Sequence, residues 1–182
     1  GQLIDLVERH PEAGAWLVAA LAEPLGSHWL AKMVVVCPHD STKDAFVQLL
    51  VRLVATFTSG ARRGGLDLQP DGPSLEAAPD GAGELRLRPA AALLDAVLGL
   101  MENPRNVALF SMMHVFQLLD HVARLGATEQ RLLLELDAPS RAIAYFLPRL
   151  GKNSRSLTPM MQMLATLVCA ADVGPALNGR PR

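Results

Sequence analysis

Aromatic side chains are scarce in this chain: Phe, Trp and Tyr make up 4% of its 182 residues. That excludes a core built on ring stacking and leaves few platforms for stacking bases. Cysteine is nearly missing. Only Cys37 and Cys169 occur, so no disulfide framework holds the chain together, and a reducing compartment suits it. An excess of one charge is also missing. Seventeen Lys and Arg face eighteen Asp and Glu, a net charge of −1, which removes any global pull toward nucleic acid or anionic membrane. The apolar run Met33 to Cys37 is far too short to span a bilayer, and no secretory signal opens the chain. Neither Cys-x-x-Cys nor His-Glu-x-x-His occurs, and no segment alternates as a strand does.

What is present is aliphatic. Half the residues are hydrophobic and 19% are charged, with Leu, Ala, Val and Met dominating, a balance that favours helices. The chain begins with Gly and with helix-like spacing, as a fragment of a longer protein would. Leu3, Ile4, Leu6 and Val7 predict a short helix to His10. Pro11 opens a second with Trp16, Leu17, Ala20 and Leu21, ending before Pro24. Ser27 is the expected N-cap of a helix over His28 to Val36, which Pro38 ends. Asp40 or Ser41 caps a long helix to about Ser59. Its apolar positions, Ala45, Phe46, Leu49, Leu50, Leu53, Val54 and Phe57, are widened by Val47 and Val51. A helix apolar on more than one flank sits between neighbours.

Residues 60–88, rich in Gly, Pro and Arg, predict a flexible, disordered insertion. Pro89 then starts a helix with Leu93, Leu94, Val97, Leu98 and Met101. Another runs from about Val107 to Leu125, with Gly126 as the residue after its end. Thr128 caps a short helix, Pro139 to Leu147 forms one more, and Ser156 or Thr158 opens a last helix to about Ala171. The sum is a single all-α domain over residues 1–182, eight or nine helices in antiparallel pairs. With the insertion removed the pairs recur about every 40 residues, near the period of an α-solenoid of HEAT or armadillo type. A compact non-repeating bundle is the alternative.

Trp29-Leu30, Cys37-Pro38, Lys43, Phe46 and Leu49-Leu50 form one motif. Val115-Phe116, Leu118-Leu119, Val122-Ala123, Arg124-Leu125-Gly126, Glu129 and Leu132-Leu133 form a second. Together, over about Ser27 to Phe146, they resemble the helical region downstream of the catalytic domain in large ubiquitin carboxyl-terminal hydrolases of the fat-facets type. That family carries a Trp-Leu helix, a Cys-Pro turn, then Arg, two residues and Phe, and later an aromatic helix ending in Ala-Lys-x-Gly. Lys43 departs from the usual Arg, which removes bidentate pairing there. The insertion also lacks the acidic runs of some relatives. The resemblance implies that the parent is a thiol-dependent deubiquitinase and this segment a non-catalytic scaffold, with Trp29, Cys37, Pro38, Phe46 and Gly126 as structural motif residues. Ubiquitinated substrates would then be partners through the parent.

No residue set predicts chemistry. Cys37, His39 and Asp40 are crowded into one turn, poorly placed for a nucleophile, base and orienter to meet. The family's Cys box and His box are missing. Cys37, His39, His114 and His121 lack paired-ligand spacing for a metal, so no cofactor is expected. Arg141, Arg149, Lys152 and Arg155 form a local basic cluster, a docking patch for an acidic protein or else a solvated face. The expected partners are proteins, not nucleic acid or membrane, in the cytoplasm and, as a second site, the nucleus. The last helix is apolar on both faces through Leu157, Met160, Leu164, Leu167, Val168 and Met161, Met163, Cys169, Ala170, which predicts self-association. A stand-alone armadillo-like adaptor without a protease is the competing reading.

Overall fold

A computed structural model describes residues 9–63, 81–103, 106, 111–149 and 155–173. The described residues are helical, in eight α-helices: α1 (Pro11–Ala22), α2 (Pro24–Leu30), α3 (Asp40–Arg63), α4 (Gly81–Glu102), α5 (Met113–Ala123), α6 (Ala127–Glu135), α7 (Ala138–Phe146) and α8 (Leu157–Val173). The expected opening helix up to residue 8, the loop Gly151 to Ser154 and the tail beyond Val173 lie outside the described residues.

Pro11 occupies the first turn of α1, where its missing N–H is no loss. Glu23 turns extended ahead of Pro24, and α2 starts at once. Ser27 therefore lies inside a helix and does not precede it; Pro24 supplies the start that Ser27 was expected to give. The chain can turn back this sharply because of Gly26: a Cβ there would stand 1.9 Å from the Ala20 carbonyl oxygen. After Leu30 the helix widens to a π-helical stretch, Ala31–Val36, closed by the Cys37 N–H donating to the Lys32 carbonyl at 2.8 Å. Pro38 stops it.

The His39 carbonyl accepts the N–H groups of Thr42 and Lys43 as α3 begins. α3 buries Phe46, Val47, Leu49, Leu50, Val51, Leu53 and Val54, the two-flanked pattern seen in the sequence, although Ala45 is exposed. The helices intrude on both edges of the expected insertion. α3 continues through Gly60 to Arg63, and α4 starts at Gly81 with Pro89 in its interior. Burial of Leu93, Leu94, Val97 and Leu98 farther along anchors α4, so local breaker signals do not set its start. Residues 64–80, the rest of that predicted insertion, lie outside the described residues.

Gly126 precedes α6 at φ 153, ψ −173, a region open essentially to glycine. It joins α5 to α6 at a turn that the Gln130 side chain closes, its Nε2 donating to the Ala123 carbonyl at 2.9 Å. Asp137 begins α7 in the left-handed conformation, steadied by the Ser140 hydroxyl at 2.6 Å.

α1, α4, α3, α5 and α8 pack side by side in that order, with α2 on α1, α6 on α5 and α7 on α4. One cluster of buried apolar side chains runs through them from Val18 to Leu167. Among the described residues no helix is long and apolar enough to cross a membrane.

Candidate interaction surfaces

The Trp29 ring meets Phe46 edge-on, with centroids 5.1 Å apart. Trp29 remains half-exposed while Phe46 is buried, so the pair ties α2 to the first turns of α3. Between them Cys37 is half-buried, and its thiol points to the His39 carbonyl at 3.8 Å. His39 and Asp40 are exposed. The thiol thus contacts backbone where an activated nucleophile needs a base. The motif residues Trp29, Cys37, Pro38 and Phe46 all fall at this one junction of α2, the π-helical stretch and α3.

Sequence reasoning weighed His114 only as a metal ligand and did not foresee its contacts. His114, on the first turn of α5, is almost fully buried, with Nε2 3.5 Å from Asp44 and 4.0 Å from Asp40. Lys43 lies beside it, paired with Asp40 at 3.7 Å. Burial foremost, and then the charge of Lys43, hold the His114 imidazole below its ordinary pKa, outweighing Asp44 and Asp40. The signal in the sequence was a lone His among the apolar positions of α5. Among the described residues no three His, Cys, Asp or Glu side chains are arranged to hold a metal.

Of the basic cluster Arg141, Arg149, Lys152 and Arg155, the side chains of Arg141 and Arg155 are described. Arg141 turns to α4, its Nη1 2.7 Å from Asp95 and its Nε bonded to Glu102. Only 19% of its side chain is exposed. Arg155 is exposed at the turn before α8, while the Arg149 side chain and Lys152 lie outside the description.

Arg141 instead walls a cleft of about 510 Å³ between α2, α4 and α7. The floor is Ala92, Ala96 and Gly99, spaced along one face of α4, and Asp95, Glu102, Asn103, Asn106 and His28 surround it. Nothing lies within 4 Å of a Cβ built on Gly99. A glycine inside a helix costs roughly 0.5–1 kcal/mol against alanine, and among the described residues no close packing requires it. Asn106 is 8% exposed. Among the described residues its bond is from Nδ2 to the Leu100 carbonyl at 3.5 Å, at the long limit of a hydrogen bond.

At the far end of the row, α8 buries Met160, Met163 and Leu167 and exposes Leu157, Met161 and Val168, the last by 61%. The expected division of this helix is corrected: Met163 faces the core, while Leu157 and Val168 belong to the outer face. The outer face also carries Thr158, Gln162, Ala165 and Cys169. No family model, no curated protein and no solved structure matches the chain.

Proposed function

We propose that this chain is a non-catalytic helical scaffold that binds other proteins, and that it is a segment of a large ubiquitin-specific protease. The observation that carries the first part is the use made of the motif residues. Trp29 and Phe46 pack on each other, and the Cys37 thiol is turned to a backbone carbonyl, so the residues that stand out in the sequence hold a helical junction together. The second part rests on the order and spacing of the two motifs. In this reading the helix pairs are units of an α-solenoid of HEAT or armadillo type. Support comes from α3, apolar on two flanks and packed between α4 and α5. The placement of α4 between α1 and α3 favours the compact bundle instead. The scaffold needs no cofactor and works in the cytoplasm or nucleus, its partners being proteins, including ubiquitinated substrates brought by the parent.

Incubation with a fluorogenic ubiquitin substrate tests the first part: no turnover is expected, and turnover abolished by Cys37→Ala would overturn it. The full-length protein sequence tests the second part. A Cys box and a His box there support the protease, and their absence from the full-length protein makes the chain a stand-alone adaptor.

A further inference from the structure

We propose that the cleft between α2, α4 and α7 is a docking site for a Lys- or Arg-bearing peptide segment of a partner protein. The proposal stands whether or not the parent is a protease. Two independent features point to a ligand. The first is Gly99, a helix-interior glycine facing open space on the floor of the cleft. With Ala92 and Ala96 it leaves α4 smooth, so that another backbone can approach closely. The second is Asn106, lining the same cleft with more than nine-tenths of its surface buried and, among the described residues, a single long bond from its amide nitrogen. Its amide group adds a polar lining to the cleft.

The chemistry of the occupant follows from the walls. Arg141 is engaged through Nε and Nη1 by Glu102 and Asp95, and both carboxylates remain more than half exposed. Each is bonded to Arg141 through one oxygen, which leaves the other to accept. Two carboxylates against one guanidinium give the cleft a net negative charge. Acceptors therefore predominate, and a cationic donor fits them while an anion does not. The volume lies within the range of small ligand pockets, enough for one long side chain with its flanking backbone. Arg141 acts as a positioning residue that holds the two carboxylates toward the same opening.

The test uses the full chain, labelled with ¹⁵N, and three acetylated, amidated pentapeptides: Gly-Ala-Arg-Ala-Gly, the same with Lys, and the same with citrulline. Citrulline keeps the shape of Arg and removes its charge. Saturable shifts at Gly99, Asn103 and Asn106 are expected with the Arg or Lys peptide and not with citrulline. Gly99→Leu fills the floor and should weaken binding at least tenfold, while the melting temperature holds or rises. Should that variant fail to fold, Gly99→Ala replaces it, with binding weakened several-fold and a melting temperature raised by roughly 2–4 °C. No saturable shift at millimolar cationic peptide overturns the proposal. So does equal binding of citrulline, or binding indifferent to the Gly99 variant. Spermine alone, if it binds these residues more tightly than either peptide, replaces the peptide occupant with a free polyamine.

Discussion

At the scale of single residues, Gly26 is fixed by a contact that no side chain can share. Its would-be Cβ overlaps the Ala20 carbonyl and stands 2.6 Å from the Leu21 Cα, and backbone cannot swing aside as a flexible side chain can. Gly26→Ala should destabilise the chain by about 1–3 kcal/mol, the range for forced overpacking. Urea unfolding measures this, and a variant as stable as the parent would show that α1 and α2 can separate. His114 gives a pH dependence. Its folded pKa lies below the ordinary 6.5, so below that value the unfolded chain takes up the proton more readily than the folded one. Its contribution is complete above pH 6.5 and is lost as the pH falls toward the depressed folded value. Thermal unfolding followed from pH 8 to pH 5 should show this decline, and His114→Gln should flatten it. Neither residue was legible for its role. A glycine two residues after Pro24 looks like a loop glycine until α1 is known to lie against it. The sequence likewise marks His114 only as a histidine on an apolar face, because the carboxylates that meet it belong to another helix.

Polar contacts that join one element to another are directly testable. Asp120, nearly buried on α5, accepts from the Arg124 guanidinium at 2.9 Å within its own helix and from the Thr166 hydroxyl at 3.0 Å across to α8. The Thr166 hydroxyl also lies 3.0 Å from the Gln162 carbonyl of its own helix; Thr166→Val removes both options, leaves the Arg124 bond, and should cost about 1–2 kcal/mol. A double-mutant cycle with Asp120→Ala isolates the pair, and a coupling indistinguishable from zero would show that packing alone seats α8. Helix ends were legible where chemistry forbids continuation. Pro38 closes the π-helical stretch as the sequence indicates, and Pro139 lies in the first turn of α7. They were misjudged at Gly60 and Pro89, which discourage a helix without preventing it. Packing over the remainder of α3 and α4 carries both helices past these residues.

For the whole molecule the open question is what meets the outer face of α8. From Leu157 to Ala171 that helix carries no charged residue, so an antiparallel copy of itself meets no like-charge repulsion across a two-fold axis. Leu157, Met161, Ala165 and Cys169 form an i, i+4 ridge suited to interlocking with its own copy. Concentration-dependent dimerisation is expected in sedimentation, lost on Met161→Glu with Val168→Glu. Both positions are more than half exposed, so the fold should survive the change. A strict monomer at high concentration would refute the expectation.

The amino-acid sequence by itself determined that this is an all-α protein, where α3 and α5 bury their apolar stripes, and that Trp29, Cys37, Pro38 and Phe46 belong to one junction. These follow from local physics: periodicity, proline geometry and the burial of aliphatic side chains. Only the tertiary structure decided that α4 lies between α1 and α3, that Arg141 is held by Asp95 and Glu102, and that Gly99 opens onto a cleft. Those depend on contacts between residues about forty or more apart, set by which helix faces meet. No helical period within one segment encodes that choice.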